Sequence, residues 1–512
     1  MKERIHIVWF KRDLRIHDHA PLHIAASRGK VLPLYVVELD YWQLPDASAR
    51  HWHFIRQSLH ELNTALSRLG QPLVKLQGDM LTALETLHER FEIAGLYSHQ
   101  ETGNLWTFAR DQRVAQWCAA HGIDWQEYQQ HGVFRRQRDR DGWAGKWEKL
   151  MAQERFTAPI RLAPLQTRIP QNGLPDNLGK VLEASESRHC QTGGRSEALL
   201  LLGSFMRERG HYYSREMSSP LTAAESCSRL SPHLAYGTIA LREVTYKLHL
   251  VLEHAELEAS WKRSLRAFDA RLHWHCHFIQ KLETEPRFET DNMLAVFDGL
   301  RENDFNPAYF AAWQTGTTGF PFIDACMRSL RQTGWINFRM RAMLMAFAAY
   351  QLWLHWQQPA WHLAQCFTDY EPGIHYPQIQ MQSGTTGINA MRMYNPVKQS
   401  HDQDPHGIFI RRWLPELARV PAEYLHEPWL MPYSVQQHSG CVLGVDYPEQ
   451  IVDHMAAVRQ ARAKFSELRR HNPVFREQAQ ALNAKHGSRK KQNKPRKPAK
   501  LSPIDHGQMN LF

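Results

Sequence analysis

The sequence predicts two structural classes in one chain: an N-terminal doubly wound parallel α/β domain, followed by a larger all-α domain. Three observations predict it. Over the first 130 residues, short runs rich in Ile and Val alternate with stretches of helical spacing, the pattern of a parallel sheet covered by helices. From about 196 to 470, good strand runs are missing and helical spacing prevails between short Pro/Gly breaks. Between the two, residues 158–195 carry Pro, Gly and Ser without periodicity and read as a linker. A chain of 512 residues is also too long for a single core.

The elements follow in order. "IHIVWF" (5–10) and "VLPLYVV" (31–37) read as buried strands. Residues 53–70 place Ile55, Leu59, Leu62 and Leu66 on one helix face and stop at Gly70. "QPLVKLQG" (71–78) is a third strand, and helix, strand, helix and a last strand "IDWQEYQQ" (123–130) complete the alternation. No G-x-G-x-x-G follows the first strand, so a dinucleotide fingerprint of the dehydrogenase type is absent.

Composition narrows the function classes. The longest apolar runs fall far short of the roughly 20 residues of a membrane span, and no apolar leader is visible, so a cytoplasmic protein is expected. The seven cysteines are scattered without Cys-x-x-Cys, against a disulfide framework or a compact metal motif. The net charge is +10, but residues 485–500 alone hold eight Lys/Arg and no acid, leaving about +2 for the rest. That segment is the polyanion-attracting element.

"RLHWHCHF" (271–278) puts three histidines and a cysteine into eight residues. On a helix His273 and His277 share a face, whereas His275 lies about 200° away from either. The three cannot converge on one ion, and no acidic third ligand accompanies the pair, so no metal is expected. Ser228 and Ser231 stand in a short polar loop before a helix. Their hydroxyls and the free backbone N–H groups suit a pyrophosphate, although on their own they also read as ordinary helix caps.

Several motifs in one order resemble the photolyase/cryptochrome flavoproteins: "VWFKRDLRIHDHAPL" (8–22), "SRLSPHLAYGTI" (228–239), "AWQTGTTGFPFIDACMRSLRQTGW" (312–335), "YNPVKQSHDQDPHGIFIRRWLPEL" (394–417), "LHEPW" (425–429) and "DYPEQIVDH" (446–454). The resemblance covers about 1–465. It implies FAD in the helical domain, with Tyr213, Ser228, Arg229, Leu230, Ser231, Arg341, Asp369 and Glu371 as cofactor-binding residues. It also implies an antenna chromophore of unknown identity against the α/β domain, near Glu101. Trp274 matches a wall of the lesion pocket. Arg271 and His275 stand where the family carries glutamate and arginine, and are expected to contact substrate or flavin. Trp356 fits the middle member of an electron-transferring tryptophan chain, whose inner neighbour is missing from 369–384; Tyr370, Tyr376, Trp353 and Trp361 are candidate substitutes. Phe338 occupies the place of a flavin-facing asparagine.

The activity so implied is light-driven splitting of cyclobutane pyrimidine dimers in damaged DNA, by a monomer. A blue-light sensor without repair activity and a (6-4) photolyase are the alternatives. The boundaries expected are 1–135 for the α/β domain, 136–195 for the linker, 196–470 for the helical FAD-binding domain and 471–512 for a basic, disordered tail. Within that tail, "QMNLF" (508–512) resembles the peptide by which bacterial repair proteins dock on the sliding clamp, through Gln508, Leu511 and Phe512.

Overall fold

The computed structural model describes residues 2–487, apart from 138, 170, 172, 182–189, 254–255 and 388–390. Strands β1 (Glu3–Trp9), β2 (Val31–Val37), β3 (Val74–Gln77), β4 (Phe91–His99) and β5 (Trp125–Tyr128) form one sheet of order β3-β2-β1-β4-β5. Every neighbouring pair is parallel. The chain runs outward from β1 to β3, then returns to lay β4 against β1, which makes the sheet doubly wound as predicted. Helices α1 (Ala20–Arg28), α2 (Ala49–Leu69), α3 (Met80–Arg90) and α4 (Leu105–Ala120) cover it. Alternate residues of β1 serve the two faces. Ile5, Ile7 and Trp9 pack with Leu84 and Val114, while Val8 and Phe10 pack with Leu22, Leu59 and Leu62.

Helix α2 begins earlier than its apolar spacing predicts. Ser48 and His51 cap it reciprocally, with histidine in the place usually taken by glutamate. It ends at Gly70 in the left-handed region (φ 109), where an added Cβ would lie 2.6 Å from the carbonyl oxygen of Leu162. The start of α2 also docks the two domains. Arg50 donates to the carbonyls of Leu330, Arg331 and Cys366. His51 Nε2 donates to the carbonyls of Ala364 and Phe367, each at 3.0 Å. The chain leading to Asp369 is therefore pinned from the α/β side.

Two segments hold helix that the sequence does not predict. The 136–195 linker contains a helix, α5 (Trp143–Met151), whose Trp143, Trp147 and Met151 recur every four residues and bury one face against Leu202 and Leu272. The 471–512 tail is helical over its first part. In the helical domain, α6 (Ala259–Thr284), α7 (Phe338–Ala346) and α8 (Pro372–Ser383) are followed by α9 (His454–His471) and α10 (Phe475–His486). Leu482 and His486 of α10 are buried, and Lys485 and His486 bind Glu285 at 2.6 and 2.8 Å. Few apolar residues at helical spacing sufficed to dock a mostly polar segment. Residues 488–512, with most of the basic cluster and Gln508, Leu511 and Phe512, lie outside the described residues. Among those described, no helix is long and apolar enough to cross a membrane.

Candidate functional site

The helical domain encloses a cavity of about 1040 Å³, at the upper end of the range usual for small-molecule and cofactor sites. Helices α6 and α8 and the start of α7 line it. The walls meet closely: a Cβ on Gly373 of α8 would fall 2.8 Å from Ile279 Cα of α6. All the expected cofactor-binding residues line this cavity, as do Arg271, Trp274 and His275; Trp356 does not, and neither do Glu101, His273, Trp353, Trp361 and Tyr376. Trp356 is fully buried in the neighbouring core, where its Nε1 donates to Asn292 Oδ1 at 2.8 Å.

Arg341 and Asp369 form a bidentate pair, with both Nη to carboxylate distances 2.9 Å. Arg341 Nε donates to the Ile336 carbonyl at 2.7 Å, and its guanidinium lies 4.1 Å from the Phe367 ring centre. Burial raises the pKa of the Asp369 carboxyl, but the Arg341 charge and hydrogen bonds from Arg341 and Ser231 outweigh it and hold the group below the usual carboxylate range. The loop 228–231 runs into the short helix Ser231–Ala235. Arg229 in it adopts a left-handed conformation (φ 60), fixed by two hydrogen bonds with Gln191 and by packing 4.1 Å from the Trp335 ring. Burial pushes the Arg229 pKa down to about 10.

Glu371 faces the cavity from the same loop as Asp369. Burial pushes its carboxyl up to about 7, only partly offset by Arg12 at 3.4 Å. Arg12 was missed in the sequence although it sits in a quoted motif. It leaves the loop after β1, donates to the Ala235 and Tyr370 carbonyls, and lies 5.0 Å from the Tyr236 ring. Asp46 was missed as well. Buried and contributed by the α/β domain, it accepts from the hydroxyls of both Tyr370 and Tyr376. Their roles carry no sequence signal, because their partners stand more than 200 positions away. Glu101 is already bound by Arg110 at 2.6 Å and lines a small cleft between the domains together with Arg12 and Glu371.

On α6, Arg271, Trp274 and His275 all line the cavity. Trp274 stacks on Phe278 with ring centres 5.5 Å apart and meets the edge of His277 at 5.3 Å. The three histidines diverge. His273 packs 3.6 Å from Trp147, on the side away from the cavity. His275 faces His131 at 5.2 Å, and burial pushes its pKa down to about 4. Contrary to the expected pairing of His273 with His277, it is His275 and His277 that reach the cavity. Phe338 stands at the cavity margin, 44% exposed.

A different cluster has the composition of a metal site. Asp13 Oδ2 lies 2.9 Å from His19 Nε2 and 2.7 Å from His99 Nδ1, all three buried. However, His19 Nδ1 accepts the Leu22 N–H at 3.1 Å, which assigns the ring proton to Nε2. A protonated nitrogen donates to Asp13 and cannot ligate an ion. The cluster instead ties the loop after β1 to the end of β4.

Residues 6–142 match the family described as DNA photolyase, and residues 268–467 match the FAD binding domain of DNA photolyase. The chain is 27% identical to a deoxyribodipyrimidine photo-lyase of Alkalihalophilus pseudofirmus, over 90% of this chain and 97% of that protein. It is 28% identical to cryptochrome-2 of Arabidopsis thaliana, over 87% and 76%. Its fold is similar to the crystal structure of a class III photolyase from Agrobacterium tumefaciens, with a TM-score of 0.80 at 24% identity, covering 92% of this chain and 98% of that one.

Proposed function

The chain belongs to the photolyase/cryptochrome family of FAD flavoproteins, and from that membership we propose that it is a DNA photolyase that splits cyclobutane pyrimidine dimers in light. The observation that carries the reading is the wall of α6. Arg271, Trp274 and His275 line the same cavity as the Arg341–Asp369 pair, so an aromatic stacking surface and hydrogen-bond donors face the space beside the cofactor residues. A lesion cannot reach that space from inside a duplex and must be flipped out.

The cavity residues suit FAD in size and in donor set. The loop from Ser228 through Arg229 and Leu230 to Ser231, with Tyr213, binds the phosphates, and Arg341, Asp369 and Glu371 hold the ring system. Bound FAD supplies the light-absorbing electron donor. Arg341 contributes a fixed positive charge beside it, kept in place by Asp369. Trp274 stacks on the flipped base, and Arg271 donates to pyrimidine carbonyls. His275, neutral at physiological pH, contacts substrate or cofactor without adding charge. Glu371, with a pKa near neutrality, can hold or release a proton at the cavity edge. Trp356 relays electrons through the core. A second chromophore fits the region of Glu101. The partner is damaged DNA, with a sliding clamp engaged through Gln508, Leu511 and Phe512.

A blue-light sensor is the second reading. It is favoured by Arg271 in place of the family's glutamate and by the absence of Trp from 369–384. Irradiating the flavin-loaded protein with oligonucleotides carrying either a cyclobutane dimer or a (6-4) product decides. Repair of the first is expected. Repair of only the second reassigns the lesion, and bound flavin with no repair of either leaves the sensor.

A further inference from the structure

Lys281 continues the stripe of Arg271, Trp274 and Phe278 at spacings of three and four residues on α6, and it too lines the cavity. It lies ten residues beyond Arg271, about 15 Å along the helix axis, so the two cations stand on opposite sides of Trp274. The Lys281 side chain is 9% exposed and its Nζ rests 5.0 Å from the Phe278 ring. Among the described residues it has no carboxylate partner. Its charged neighbour is Arg140, itself buried and bonded to the His277 carbonyl at 3.1 Å. The acid nearest in sequence on that side, Glu285, is taken by Lys485 and His486. Arg339 and Arg392 also line the cavity.

A buried ammonium without a counter-ion is costly, and here it faces a space large enough to admit one. We propose that Lys281 recognises the phosphodiester that joins the two bases of a dimer flipped into the cavity. The chemistry follows from its surroundings. Trp274 and Phe278 offer a stacking face for a base, and Lys281, one turn beyond Phe278, offers a charge-assisted hydrogen bond to the phosphate attached to that base. Phosphates of an intact duplex cannot enter. Burial and the Arg140 charge push the Lys281 pKa down to about 7, so an arriving anion also secures the proton. The inference rests on the repair reading above and assigns this residue the task of telling flipped from unflipped DNA.

The test is a cycle between protein and DNA chemistry. Binding is measured for the flavin-loaded wild type and for K281M. Three oligonucleotides are used: one undamaged, one with a cyclobutane dimer, and one whose intradimer phosphodiester is a neutral methylphosphonate. Wild type should prefer the dimer and lose about tenfold in affinity on the methylphosphonate, the scale of one hydrogen bond to a charged group. K281M should lose a similar factor on the ordinary dimer, nothing more on the methylphosphonate, and nothing on undamaged DNA. If K281M binds the dimer as wild type does, or is as sensitive to the methylphosphonate, the role of Lys281 is overturned while the repair reading stands. A wild type without preference for the dimer overturns both. Should K281M fail to retain FAD, the wild-type comparison alone decides, and equal affinity for the two dimers overturns the inference.

Discussion

Asp369 is the residue on which most of the cofactor half of the cavity converges. Its two oxygens take both arms of Arg341. Removing one member of a buried ion pair costs about 3–5 kcal/mol; Arg341 is 24% exposed in its side chain, so the lower part of that range applies. Asp369→Ala is expected to purify with little flavin, read as visible absorbance per protein, and wild-type flavin content in the variant would refute the assignment. Trp274 makes the contrasting case. It lies on α6, packed against Phe278 and His277, so Trp274→Ala should keep its flavin. Its affinity for dimer-containing DNA should fall by about 1–3 kcal/mol, the worth of one base–aromatic stack. Unchanged lesion affinity would remove Trp274 from the pocket. Trp274 was legible because it stands in a quoted stretch, and Asp369 because the family resemblance implies it. Lys281 was not: among the histidines and aromatics of α6, a lysine reads as an ordinary solvated charge until its burial is seen.

At the scale of elements, the cavity depends on how closely α6 and α8 approach. An alanine methyl at position 373 would stand 2.8 Å from Ile279 Cα and 3.0 Å from its Cγ2, and the Cα cannot move without moving its helix. Gly373→Ala should therefore cost about 1–3 kcal/mol, the range for overpacked cores, and should loosen flavin binding with it. Urea unfolding midpoints and flavin content measure the two effects; a midpoint equal to wild type would show that the helices can part without penalty. Helix α6 was legible because 26 residues of continuous spacing leave little ambiguity, and so was α2. Helices α5 and α10 were not. Each has a single narrow apolar face in a polar segment, and each is stable only through the neighbour it covers. The docking of α2 through Arg50 and His51 was illegible for another reason: its acceptors are backbone carbonyls more than 250 positions away, which carry no sequence signal.

Across the whole molecule, buried histidines held neutral give the stability a pH dependence. Burial pushes His51, at the domain junction, and His99, in the Asp13 cluster, down to about 3. Unfolded, each titrates near 6.5, so between that value and about 3 the unfolded chain binds more protons. Stability contributed by each is thus full above pH 6.5 and is lost as the pH falls, at up to about 1.4 kcal/mol per unit. Unfolding midpoints measured from pH 7.5 down to 5 should decline, and His51→Gln should flatten the decline; a slope unchanged by that variant would place the acid sensitivity elsewhere. The last prediction concerns the sequence after α10, whose own end lines the cavity at Asn483 and Ala484. That sequence combines a basic, Pro-containing stretch, suited to a flexible tether that is drawn to DNA, with "QMNLF", in which Leu511 and Phe512 are adjacent large apolar residues. A sliding clamp offers such a pair an external pocket and would raise the local concentration of the catalytic body at the duplex. Titrating purified clamp with a labelled 500–512 peptide, and with the full chain, should show binding that is lost in the double variant Leu511→Ala, Phe512→Ala. Salt should weaken only the DNA-dependent part. Absence of binding at low salt, or equal binding by the double variant, would leave the basic stretch as a DNA contact and nothing more.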